Sequence, residues 1–131
     1  MDHGTLMVRV CQEKSPAVLV STSHSPSDFL SAATLKNVSD KPLIGYRIGW
    51  VVVLRSGKNE VHFGVSLNLP AGIEPGETWD APGQSVSPDH AREGASAVAF
   101  FVAEVYLSGE QPWKEDIAQV RKKARRAAVQ S

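Results

Sequence analysis

Cysteine is nearly missing from this 131-residue chain: Cys11 stands alone, which excludes an intrachain disulfide, a cysteine-built zinc site and a redox pair. Long apolar runs are missing too, and nothing approaches the ~20 residues that a membrane-spanning helix needs. The start, Met1-Asp2-His3-Gly4, lacks the basic and apolar regions of a signal peptide. Excess charge is absent, since 14 Lys and Arg balance 14 Asp and Glu, so the whole molecule has no pull towards nucleic acid or an anionic membrane. His3, His24, His62 and His90 stand at no metal-ligand spacing, no glycine-rich phosphate loop precedes a helix, and no G-x-S-x-G turn presents a serine nucleophile. The expectation is a chain with no metal, no cofactor and no enzymatic activity.

What is present suits one β-rich domain. An apolar share of 42% against 21% charge is that of a globular chain, and 131 residues are the size of one domain, enough for a single core but too short for two ordinary ones. Turn residues recur at short intervals between β-branched and aromatic runs, the pattern of short strands. Strands are predicted at residues 6–12, 17–22, 29–37, 43–55, 61–69, 77–81 and 97–107. The strongest is 43–55, whose alternation sets Ile44, Tyr46, Ile48, Trp50, Val52 and Leu54 on a core face opposite Gly45, Arg47, Gly49, Val51, Val53 and Arg55. Residues 70–96 are rich in Pro and Gly and form the least regular stretch.

The end reads differently. Pro112 suits a first helical position, Glu115 and Asp116 suit a first turn, and Trp113, Ile117, Val120, Ala124 and Ala127 recur at helical spacing. An amphipathic helix is predicted over 112–128, docked through Trp113, Ile117 and Val120 and loosening from Arg125 onward. Residues 114–131 hold six Lys and Arg against two acids, net +4, which leaves −4 on the rest. The division is a β-domain over 1–111 and a basic helix and tail of the same domain over 112–131.

The run Leu35-Lys36-Asn37-Val38-Ser39-Asp40-Lys41-Pro42-Leu43, then Tyr46 and Trp50, with Ile73-Glu74-Pro75-Gly76-Glu77 before a later strand, resembles immunoglobulin-like or fibronectin-type β-sandwich domains of uncharacterised bacterial proteins over roughly residues 17–107. The resemblance implies an antiparallel sandwich and an extracytoplasmic place, without the cysteine pair of antibody domains. It implies little about activity, because such folds host many functions.

Three residues are the candidates for ligand contact: Trp79 and Asp80, an aromatic beside a carboxylate that suits a sugar or a partner chain, and His90 in Ser85-Val86-Ser87-Pro88-Asp89-His90. The expected role is a non-enzymatic binding or assembly module for a protein or carbohydrate partner, presented on 70–96 or on a sheet edge. The alternatives are a small hydrolase using His90 or His62, and a nucleic-acid accessory factor acting through Arg121, Lys122, Lys123, Arg125 and Arg126, for which aromatic stacking partners are lacking. Asn37-Val38-Ser39 fits a glycosylation tripeptide, but reads first as a turn.

Overall fold

The alternation along residues 43–54 does divide two environments. The computed structural model describes residues 6–23, 29–85 and 95–130. In it Leu43–Leu54 (β4) is the centre of a six-stranded sheet, pairing along one side with Ala95–Leu107 (β8) and along the other with Asn59–Phe63 (β5) and Leu67–Ile73 (β6). Leu6–Arg9 (β1) and the two-residue Trp113–Lys114 (β9) lie beyond β8. A second sheet has the order Ala17–Ser23 (β2), Phe29–Asn37 (β3), Thr78–Ser85 (β7). The helix, α1, runs from Ile117 to Gln130. The chain is thus mainly β, with two sheets and one short C-terminal helix.

Tyr46, Ile48, Trp50 and Val52 of β4 and Val98, Phe100, Val102 and Val105 of β8 form a core with Ala17, Ala33, Leu35 and Ala81 of the small sheet. The opposite face of the large sheet has its own core: Val51, Val53, Ala97, Ala99, Phe101 and Ala103 pack under Val120 and Ala124 of α1. Alanines on β8 leave the room that lets the helix lie close. Asp116 caps the helix, its carboxylate accepting from the N–H groups of Ala118 (3.0 Å) and Gln119 (3.4 Å).

Several expectations need correction. The sheets are not wholly antiparallel, because β1 runs parallel to β8. β1 and β2 follow one another in sequence but lie in different sheets, so no hairpin dictates their relative direction. Ile44 is 41% exposed, and Leu43 fills the core in its place, because the register shifts between Leu43 and Gly45. The strand predicted at 61–69 is two strands, interrupted at residues 64–66. The helix begins at Ile117, and Trp113 lies on β9, packed against the core between the sheets and not under the helix. Helical structure continues past Arg125 to Gln130.

Asn37 explains how the small sheet is joined to the large one. Its side chain is fully buried, its amide donates to the carbonyls of Lys41 (2.8 Å) and Ile73 (2.7 Å), and its oxygen accepts from the Ser39 N–H (2.9 Å) and hydroxyl (2.7 Å). Both amide hydrogens are engaged and sealed from solvent, so in the folded protein this asparagine is a knot between segments and not a glycosylation acceptor. The turn below it uses Gly76 at φ 84°, with the Glu77 N–H donating to the Glu74 carbonyl at 3.0 Å.

Candidate functional site

Helix α1 covers only part of the outer face of the large sheet. Where the cover ends, the outward residues of β4 change from Val51 and Val53 to Gly49, Arg47 and Gly45. The glycines make space. A Cβ on Gly49 would sit 2.7 Å from Phe101 Cζ, and one on Gly45 would sit 2.7 Å from Tyr106 Cδ2, so aromatic rings from β8 lean over both positions.

Arg47 stands between these rings and is held on three sides. Its Nε donates to the Gly64 carbonyl at 2.7 Å, its Nη1 to Glu104 Oε2 at 3.3 Å, and its guanidinium lies 5.2 Å from the centre of the Phe63 ring. Phe63 in turn meets Phe101 edge-on, ring centres 6.5 Å apart. Glu104 owes its position to a bulge: Arg47 pairs with Glu104 but Ile48 pairs with Val102, so Ala103 is an extra residue and both Ala103 and Glu104 face outward.

The Tyr106 hydroxyl donates to Glu104 Oε1 at 2.6 Å and lies 3.4 Å from the Ser66 hydroxyl. That bond, helped by Arg47 and Lys114, holds the Glu104 carboxyl below its ordinary value against the opposing effect of burial, and the same bond raises the Tyr106 phenol. Beside this network Phe63 and Val65 stand 42% and 66% exposed. The site is therefore a fixed cation, a carboxylate and aromatic rings next to an apolar tip, on the outward face of the large sheet. It can hold hydrogen-bonding and apolar groups of a partner.

None of these residues was singled out from sequence for function. The available signal was the Gly-x-Arg-x-Gly spacing inside the strongest strand, because an interior strand glycine marks a close approach of something else.

Trp79 and Asp80 are on β7, on opposite faces. Trp79 pairs with Leu35 and is two residues from buried Ala81, so it faces the small sheet's core side at the rim and remains 40% exposed. Asp80 faces away and accepts from the Thr34 hydroxyl at 3.3 Å. Burial raises the Tyr46 phenol, with the Trp79 indole partly opposing it; the Tyr46 hydroxyl makes no well-formed hydrogen bond, so burial decides. His90 lies outside the described residues, as do Val86, Ser87, Pro88 and Asp89 before it, while Ser85 ends β7. His62 stacks on Trp50 at 6.4 Å and pairs with Glu60 at 3.1 Å.

Among the described residues, no three His, Cys, Asp or Glu side chains are grouped to hold a metal, and no helix is long and apolar enough to cross a membrane. Compared with protein-family models, curated proteins and solved structures, the chain matches none.

Proposed function

We propose that this chain is a non-enzymatic binding module of immunoglobulin-like architecture that docks a protein partner through the open part of its large sheet. The architecture is supported by strand order: β2, β3 and β7 form one sheet, while β4, β5 and β8 form the facing one, so the chain crosses between layers as in immunoglobulin-like sandwiches. The observation that carries the docking reading is Arg47, immobilised by Gly64, Glu104 and Phe63 beside the exposed Phe63 and Val65.

Arg, Tyr and Phe are the side chains that anchor protein interfaces, and one already held in place loses little entropy on binding. Arg47 uses two of its N–H donors internally, which leaves others for a partner's carbonyl or carboxylate. The edges of the small sheet are less suited. β7 carries Pro82, and β2 has a register break between Leu19 and Ser21; both features discourage strand addition.

The test is affinity capture from cells of the source organism with the native chain and a Phe63→Ser/Val65→Ser variant, both checked for the same unfolding transition. A protein retained by the native chain and lost on the variant supports the reading. Equal retention by both, or binding of glycans alone, overturns it.

A further inference from the structure

The outer edge of β8 is closed by pieces that are not one strand. Over Ala97 to Phe100 it is met by β1 in parallel, extended by the Val10 N–H donating to the Phe100 carbonyl at 2.8 Å. At Val102 no strand is present, and the side-chain amide of Gln12 takes its place: Nε2 donates to the Val102 carbonyl and Oε1 accepts the Val102 N–H, both at 2.8 Å. The Glu115 N–H then donates to the Ala103 carbonyl at 3.0 Å, and β9 pairs with Glu104 and Val105. The same Gln12 amide donates to Glu115 at 2.7 Å and so links the pieces.

β1 is the piece least tied to its surroundings in sequence. Its ladder is made entirely with a strand almost ninety residues further along the chain, and it is the only parallel pairing among the described strands. Between β1 and the next strand a cleft of about 610 Å³ opens, lined by Val8, Arg9, Val10 and Cys11 on one side and Leu19, Ser21 and Thr22 on the other. Arg9 crosses it to the Leu19 carbonyl at 3.1 Å. The connection over residues 10–16 exposes Cys11, Glu13 and Lys14. Val8 and Val10 pack into the apolar cluster under α1, so whatever fills this slot must be an extended segment with apolar side chains at alternate positions.

We propose that β1 is an exchangeable strand and that the slot beside Ala97 to Phe100 also accepts β1 from a second copy of this chain. In the exchanged form every ladder bond and the Val8 and Val10 contacts are identical to those within one copy. With Val10 and Gln12 travelling with β1, the two forms then differ only in the conformation of residues 13–16 and in the entropy of association, which is the condition for strand swapping at raised concentration. None of the open-face residues is involved, so exchange stands or falls separately from the docking surface.

The test uses register partners. Two full-length chains, both carrying Cys11→Ser, are prepared with Val8→Cys in one and Ala99→Cys in the other, concentrated together and oxidised. Exchange gives a disulfide-linked pair of chains several-fold above a control mixture in which Ser56→Cys, exposed and distant in register, replaces Ala99→Cys. A linked yield no higher than the control overturns the proposal, provided a single chain carrying both Val8→Cys and Ala99→Cys closes internally. Because Ala99 is buried, a second measurement uses neither cysteine: deletion of residues 13–16 joins Gln12, bonded at the β8 edge, directly to Ala17 of the facing sheet, and one Cα–Cα step of ~3.8 Å does not cross the ~10 Å between sheets, so β1 no longer reaches its own slot. Sedimentation should then show a doubled mass, and a monomer at the same concentration overturns the proposal.

Discussion

Within one strand, β4 presents two kinds of surface on the same side of the same sheet. Val51 and Val53, under α1, are buried among alanines and Phe101; Gly45, Arg47 and Gly49, past its cover, lie among polar groups and rings. Alternation placed all five on one side, but alternation does not reveal what covers that side. The covered part is held by apolar burial, which is non-directional and close-packed. The open part is held by directional bonds around one cation, which is preorganised and sensitive to single atoms.

The largest expected difference comes from adding a charge to the covered part and removing one from the open part. Val51→Asp should cost about 4 kcal/mol or more and abolish cooperative folding, since it buries an unpaired carboxylate beneath the helix. Arg47→Val, the reverse change four residues away, should alter stability by no more than about 1 kcal/mol, because the lost ion pair is partly solvated. Urea unfolding of both variants decides this, and equal losses would erase the distinction between the two parts.

At the boundary, Gly49→Ala should destabilise by about 1–3 kcal/mol, as its methyl meets the buried Phe101 ring and crowds the His62 carbonyl at 3.1 Å. A stabilised variant would mean that the ring moves aside and that the close approach is not needed. Inside the covered part, Val120→Ala should lose about 1.5 kcal/mol, two carbons' worth of burial, and amide exchange should quicken along α1 before it does in β4. Simultaneous quickening would show that the helix and sheet open as one unit.

The smallest effect is electrostatic. The folded-state pKa of Glu104 lies below its ordinary 4.5, so its contribution is present above that pH and disappears as pH falls through the lowered value. Glu104→Gln should therefore be less stable than the native chain at neutral pH, by under about 1 kcal/mol, with the gap closing as pH falls below the ordinary carboxyl value and through the lowered one. Tyr106 has the opposite sense: its phenol is raised above 10.0, so its share is lost only as strongly alkaline pH passes the raised value. A gap between the two chains that stays constant from neutral to acid pH would remove Glu104 from the network.

Local signals made much of the fold legible. Strand β3 over Phe29–Asn37 and the long strands β4 and β8 follow from apolar periodicity between turn residues, and the Asn37 turn follows from side chains that bond their own backbone. Trp113 was misassigned because its spacing to Ile117 matches a helical face equally well, and only the β8 edge decides that it pairs with Val105. Arg47, Glu104 and Tyr106 were silent because each is an ordinary residue of an alternating strand.

By itself, the sequence determined most of the extended segments, the core face of β4 from Tyr46 to Val52, and that residues 117–130 form a basic helix. Those properties depend on neighbours within a few residues, where side-chain size, branching and turn chemistry act directly. Tertiary structure alone decided that β1 runs parallel to β8, that a bulge at Ala103 turns Glu104 towards Arg47, and that α1 stops short of covering the sheet. These depend on contacts between residues that are distant along the chain, where local periodicity carries no information about which strand, at which register, will stand alongside.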